Sequence, residues 1–267
     1  MTKLDRYLKL LPSVQDEHGF IDSRECDSLL FTGLVSCVPG VAVDIMAAFD
    51  PKSGTWHRRP IEKSCYPDHS KSTISRDMGI GLAWHCYVHD RKDIAEAVVK
   101  YALTHFGIMG KAINFKVLMG RCFIGPGLLS TFARISGKYK MLWYLPMDTP
   151  GAPVLESYQA HLQVLHKLLR HKLKGTDPKK DRILLKQAER SPLNPLFQVA
   201  IGNTEEAKRL LQQEKYWPSG RLPTSHDRKA SWLLQRDPGS DWEPVSSLHQ
   251  HSGGDYLFCM ALCNGDI

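Results

Sequence analysis

The side chains of this sequence best placed to do chemistry are carboxylates standing where a helix should begin. Asp27 in Glu25-Cys26-Asp27-Ser28-Leu29-Leu30-Phe31, Asp77 in Ser75-Arg76-Asp77-Met78-Gly79-Ile80 and Asp255 in His251-Ser252-Gly253-Gly254-Asp255-Tyr256-Leu257-Phe258 each precede an apolar run. The plain reading is a good helix start, because an acid there satisfies free backbone N–H groups and complements the positive end of the helix. The chemical reading starts from the same field. A helix N-terminus lowers one carboxylate's pKa while burial beside tryptophan raises another's, and that divergence separates a general base from a general acid. Asp227 and Asp237, in a long polar stretch before Asp255, are further candidates for the pair.

The flanks of these acids carry more than capping requires. Trp56, Arg58, Arg59, His69 and Arg76 lie ahead of or beside Asp77, and His226, Trp232, Arg236, Trp242 and His251 lie ahead of Asp255. Loop tryptophans suit stacking on a ligand, and arginines receive carboxylates bidentately, so an anionic ligand fits this set. The duller alternative is that Arg76 beside Asp77, and Arg236 beside Asp237, are ion pairs that fix loops. Trp84, inside a predicted helix, is read as core.

Other chemistries are poorly supported. His85 and His89 share a helix face at i and i+4, as metal ligands can, but no Glu follows His85 in the HExxH manner and no third ligand is apparent, so no metal is expected. Ser252-Gly253-Gly254 is not the G-x-S-x-G elbow, and Gly125-Pro126-Gly127 lacks the Lys and Ser or Thr of a phosphate loop. No cofactor is implied. Seven cysteines without a CxxC pair argue against a disulfide framework and a zinc finger.

A chain of 267 residues, 42% hydrophobic and 24% charged, can bury a sizeable core, and one globular domain over residues 1–267 is expected. Its net charge of +7 favours anionic partners. The dense basic run, however, from Arg170 to Lys180, contains Gly175 and Pro178 and reads as a solvated loop between helices, so no nucleic-acid partner is expected. No apolar run approaches the roughly 20 residues that span a bilayer. Residues 1–13 read as no signal peptide, which makes the cytoplasm the default expectation, compatible with later release by lysis or packaging into a particle.

Periodicity and punctuation predict an all-α chain of antiparallel hairpins. Helices are expected over 4–11, 27–38 and 41–49, the last two as a hairpin about Pro39-Gly40. Further helices are expected over 77–88, 93–106, 127–135, 156–173 and 183–190, then 196–201, 207–214 capped by Thr204, and 255–263. The long segments 55–73 and 218–244 follow neither helical nor strand period, and long structured loops often carry function. Helix starts near Asp27, Asp77, Gly127, Glu156, Asn194 and Asp255 recur at about 30 to 60 residues, the rhythm of a hairpin plus a variable loop. Hairpins in that number suggest a closed ring, with the inner helices starting at one end and the long loops lining its mouth.

In this rhythm, and in Cys26-Asp27-Ser28-Leu29-Leu30-Phe31-Thr32-Gly33-Leu34, Trp56-His57-Arg58-Arg59-Pro60, Ser75-Arg76-Asp77-Met78 and His251-Ser252-Gly253-Gly254-Asp255, the chain resembles the alpha/alpha-toroid, or six-hairpin glycosidase-like, proteins. The resemblance implies an (α/α) toroid or partial toroid. It also implies a carbohydrate-active enzyme of glycoside hydrolase or polysaccharide lyase type. Its saccharide would lie at the loop-lined mouth, with Asp77, Asp255, Asp227 and Asp237 as candidate acid and base. Asp27, Trp56, Arg58, Arg59, His69, Arg76, His226, Trp232, Arg236, Trp242 and His251 would bind the saccharide. The alternative is a non-catalytic carbohydrate- or partner-binding helical protein in which the Asp motifs are caps.

Overall fold

The computed structural model describes residues 3–13, 15–21, 28–60, 74–111, 121–146, 157–212 and 252–267. Helix accounts for 65% of these, and strands form only two short antiparallel hairpins, so the protein is all-α in character. In chain order the α-helices are α1 (Lys3–Leu10), α2 (Ser28–Val35), α3 (Arg76–Val88), α4 (Lys92–Thr104), α5 (Pro126–Ser136), α6 (Ser157–Lys174), α7 (Arg182–Arg190), α8 (Pro195–Ala200), α9 (Thr204–Leu211) and α10 (Ser252–Asn264). No helix among the described residues is long and apolar enough to cross a membrane.

Sequence decides which helices are central. Every residue of α2 is buried, as is the run Met78–Cys86 of α3; both are apolar on all sides, the pattern of an interior helix. By contrast, α7 buries only Leu184, Gln187 and Ala188, and α9 only Ala207, Leu210 and Leu211, one stripe each. The two interior helices cross with their backbones in contact at Gly33 and Gly81. A Cβ on Gly81 would lie 2.6 Å from Leu30 Cα, and one on Gly33 would lie 2.9 Å from Gly81 Cα. Only glycine permits that approach.

A cycle of neighbouring helices can be traced, α2 against α3, α3 against α5, α5 against α6, α6 against α8, α8 against α10 and α10 against α2, with α3 also lying directly against α6 across it and α1 against α10. Between them in the chain, α4 packs on α3 and α5, α7 on α6 and α8, and α9 on α8 and α10. The directions can be read from individual contacts. Arg58 joins the starts of α2 and α3: its carbonyl accepts from Leu29 N at 2.7 Å and its Nη2 donates to Ser75 Oγ at 2.9 Å. Helix α6 runs alongside α3 in the same sense, since Arg76 donates to Gln159 near both starts and Trp84 Nε1 donates to Leu165 O further along, at 3.2 Å. Past the end of α10, Ile267 O accepts from Lys172 Nζ in the last turn of α6, so these two also end together. Helix α7 runs back along α6, with Gln187 on Gln163 and its cap Asp181 on Lys167 and His171.

Capping side chains fix the starts of α7 and α8. Asp181 accepts from Ile183 N and Leu184 N to cap α7, and Asn194 accepts from Phe197 N to cap α8, whose first residue is Pro195. Trp84 is fully buried, edge-on to Phe258 at 4.9 Å between centroids.

Several expectations are corrected. Residues 41–49 form no α-helix: 41–44 are extended or irregular, Ile45–Ala48 is a 3-10 turn, and Phe49–Asp50 pairs as strand β1 with β2 (Thr55–Trp56). Asp50, which accepts from Lys52 N and Ser53 Oγ, sets the turn that makes this pairing possible, while Asp44 N is drawn to His18 O at 2.8 Å. The N-cap of α9 is Asn203, with Thr204 already helical. Asp255 does not precede its helix; α10 begins at Ser252 and Asp255 falls inside its first turn. The basic run is mostly the last turn of α6, and Arg170 is buried rather than solvated. Lysine and histidine there complement the negative end of the helix. The second strand pair, β3 (Ile108–Lys111) with β4 (Arg121–Phe123), follows α4.

Candidate functional site

The end at which α2 and α3 begin is the expected mouth. Asp77 is the second residue of α3, two positions after the N-cap Ser75. Ser75 does not cap with its hydroxyl; it donates to Asp77 Oδ1 and accepts from Arg58, so a short polar chain runs Arg58, Ser75, Asp77. Beside it Arg76 donates to Gln159 Oε1 of α6. Of the sequence-derived residues, therefore, the structure brings Arg58 and Asp77 together through Ser75, and ties Arg76 to the neighbouring helix. Arg59 is half-buried next in the chain.

Trp56 is a correction to its reading as a ligand platform. It is only 5% exposed and packs on Phe49 at 5.2 Å between centroids, because strand pairing turns it inward. Asp255 is placed on α10 as above. Asp27, His69, His226, Asp227, Trp232, Arg236, Asp237, Trp242 and His251 lie outside the described residues, as does the proposed packing of segment 218–244 on segment 55–75.

Further along α6 the interior is polar. His166 Nε2 pairs with Thr131 Oγ1 of α5 at 2.9 Å, and Thr131 Oγ1 donates to Gly127 O, so towards His166 the hydroxyl accepts and the imidazole Nε2–H donates. Burial, reinforced by the charges of Arg170 and Arg76, pulls His166 down to about 3, which keeps it neutral.

A cleft of about 370 Å³ opens at the other end of α3, lined by Ser36, residues 41–46, His85, His89 and Arg91. Ser36 follows α2 and serves both histidines. Its Oγ lies 2.8 Å from His85 Nδ1 and also donates to Gly33 O at 2.8 Å, while its carbonyl lies 2.8 Å from His89 Nε2. A carbonyl accepts only, and the Ser36 proton is committed to Gly33. His85 Nδ1 and His89 Nε2 are accordingly the protonated nitrogens. The rings stand 4.6 Å apart between centroids, tilted by 42°. Burial first, then the charges of His89 and Arg91, lowers His85 to about 3. Arg91 is itself held by both oxygens of Asp93, at 2.9 and 2.7 Å. Nearby, burial pushes the Cys37 and Cys86 thiols up, away from the reactive thiolate.

This cleft is what the sequence reading passed over. The i, i+4 spacing of His85 and His89 was visible; the serine that orients both lies just past the end of α2, 49 positions before His85, and leaves no local signature. No known protein family, curated protein or solved structure matches this chain.

Proposed function

We propose that this chain is an (α/α) toroid or partial toroid that takes a saccharide, including anionic ones, at the end where α2, α3 and α6 begin. We further propose that it acts on the glycosidic bond by acid–base chemistry, as a glycoside hydrolase or polysaccharide lyase. The observation that carries the proposal is the cyclic order of helix contacts, α2 to α3 to α5 to α6 to α8 to α10 and back to α2. Their starts, near Ser28, Arg76, Pro126, Ser157, Pro195 and Ser252, recur at the rhythm read from the sequence. Asp77 and Asp255, or one of them with Asp227 or Asp237, would form the carboxylate pair that protonates the leaving oxygen and activates a nucleophile or removes a proton. Arg58, Arg59 and Arg76 supply positive charge at that end for an acidic sugar.

A second reading, a non-catalytic binding module, draws on one specific contact. The Asp77 carboxylate receives the Ser75 hydroxyl within the first turn of α3, which is what a helix-start acid does in a purely structural role. A glycan array with the purified protein, followed by Asp77→Asn on any substrate found, separates the two. Catalysis predicts turnover lower by orders of magnitude with the fold intact. Unchanged binding and turnover, with only about 1 kcal/mol of stability lost, leaves the acid a structural one.

A further inference from the structure

We propose that the end of α4 and the adjoining β3–β4 pair form a docking surface for an anionic lipid bilayer, with Phe106 as the side chain that enters it. The positive charge of this part of the chain would meet the headgroup phosphates. The proposal is independent of the saccharide reading, since no residue assigned to the saccharide belongs to this surface.

Phe106 stands where a helix ordinarily puts glycine. Helix α4 ends at Thr104, and the chain turns out of it with Gly107 N donating back to Ala102 O at 2.6 Å and Ile108 N to His105 O at 3.0 Å. In that kind of helix stop the residue after the C-cap is left-handed and usually glycine. Here it is Phe106, with φ of 53°, and the glycine comes one position later. A bulky side chain in that backbone region is strained. Its ring is 91% exposed, so no burial offsets the strain. The turn is nonetheless well held: His105 stacks on Tyr101 at 3.9 Å between centroids, and its Nδ1 lies 2.9 Å from Tyr101 O. Strain kept in place by firm surroundings is characteristic of positions that meet a ligand.

The neighbours extend the apolar surface. Leu103, one turn earlier on α4, and Phe123 of β4 are each 48% exposed. The Phe123 ring borders Gly107, its Cδ1 lying 3.9 Å from where a Cβ there would be. Met141 and Tyr144, in the 3-10 turn Lys140–Tyr144 past the end of α5, are 90% and 84% exposed. All of these fall in one acid-free stretch. Between Glu96 and Asp148 the sequence has no Asp or Glu and seven Lys and Arg, so this stretch alone carries +7, the net charge of the whole chain. Lys100 stands exposed with no ion pair among the described residues, and the β3–β4 ladder sets Lys111 opposite Arg121 in register.

That charge decides among occupants. A second copy meeting this face across a two-fold axis would set like charge against like, with no carboxylate to balance it. A single-stranded nucleic acid would use rings laid along a basic groove as platforms for bases; here a ring projects from the apex of a turn, beside the aliphatic Leu103. Aliphatic and aromatic side chains projecting from a basic surface suit the interface of an anionic bilayer. The apolar groups reach the acyl boundary there while lysines stay among the headgroups.

The test uses the full chain and unilamellar vesicles in a sedimentation assay. Vesicles of phosphatidylcholine with about 30% phosphatidylglycerol should carry the protein down, and pure phosphatidylcholine should not, because attraction needs the negative surface potential. Binding should weaken by about 10-fold or more as salt rises from about 0.1 to 0.5 M. Phe106→Ala should lower the partition coefficient about 10-fold or more. Phe106→Gly should do the same while raising the melting temperature, since glycine relieves the left-handed strain. Lys100→Glu should lower binding about fivefold or more, whereas Met46→Ala, an exposed apolar position elsewhere, should change nothing. The proposal is overturned if the wild-type protein ignores the anionic vesicles, binds neutral ones equally, or binds as well after Phe106→Ala and Phe106→Gly. Retention of a single-stranded oligonucleotide, or a dimer in light scattering, that is lost in Phe106→Gly while vesicles stay unbound would give the surface to a nucleic acid or a second copy and also overturn it.

Discussion

The two ends of α3 handle polar side chains in opposite ways. At its start, Arg58, Ser75 and Asp77 consume one another, and Arg76 is spent on Gln159 of α6. At its end, His85 and His89 are anchored through one nitrogen each and keep the other facing a cleft. The first arrangement holds helices together; the second leaves acceptor capacity unused. Sequence placed chemical interest at the first end because charged residues announce themselves there.

Both ends depend on the crossing of α2 and α3, and the largest expected effect comes from breaking it. Gly81→Ala would put a methyl against the Leu30 backbone, 2.6 Å from its Cα, and neither helix can yield without parting from the other. A loss of about 3 kcal/mol or more is expected, the upper end of overpacking costs. Gly79→Ala meets instead the Leu128 side chain at 2.7 Å, which can rotate, so its denaturant midpoint should fall much less. Equal losses would show that the crossing is not the constraint that joins the two ends.

The second test reads the buried histidines by pH. His85 and His166 are each held near 3 in the native protein, chiefly by burial, against about 6.5 in an unfolded chain. Below 6.5 the unfolded state binds a proton that the native state refuses, so stability must fall as pH falls from about 6.5 towards 3 and level off below that. At pH 5 the expected penalty is about 2 kcal/mol for each histidine. Asp181 does not confuse the reading. Although burial opposes its ionisation, hydrogen bonds from Lys167 and His171 win and hold it at about 2, so its contribution is present above the unfolded carboxylate value and is lost only as pH drops from about 4 towards 2. Urea unfolding at pH 7.5 and pH 5 would check this; equal stabilities would mean that neither imidazole is kept neutral by the fold.

What was legible in the sequence follows the range of the interaction. The apolar runs at Leu29–Val35 and Met78–Cys86, Pro126 and Pro195 in first turns, and the caps before α7 and α8 are local signals, and the corresponding helices form where expected. Residues 41–49 read as a helix because Val41, Ile45 and Phe49 keep helical spacing, yet pairing with Thr55–Trp56 across the Asp50 turn overrides it. The same pairing buries Trp56, which sequence left as a ligand platform. The cleft was unreadable for a related reason: it needs α2 and α3 side by side, and that adjacency rests on two glycines whose spacing carries no chemical label.

A smaller effect is expected from the start of α3. Arg58→Ala removes the donor to Ser75 Oγ but not the Arg58 carbonyl that receives Leu29 N, so the helix starts stay joined through the backbone. The expected cost is about 1.5 to 3 kcal/mol, the range for a hydrogen bond with a charged partner, at the low end because Arg58 is only half-buried. Thermal melts of Arg58→Ala and Arg58→Gln would check it, and a loss as large as that of Gly81→Ala would make Arg58, rather than the crossing, the joint between the ends.

The smallest expected effect is also the sharpest test of whether the two ends are separate. Asp77 and His85 are eight positions apart on one helix, about 12 Å along its axis at 1.5 Å per residue. Asp77 is tied to Ser75, and His85 to Ser36. Substitutions that far apart with no common partner add to within about 0.5 kcal/mol. Asp77→Asn should cost about 1 kcal/mol or less, because the amide oxygen still accepts from Ser75 and only the charge at the positive end of α3 is lost. Ser36→Ala should act on the other end alone. The double variant should then lose the sum of the two single losses. A coupling energy well above 0.5 kcal/mol would mean that α3 and its glycine crossing transmit strain between the ends, and the protein would have one extended site in place of two.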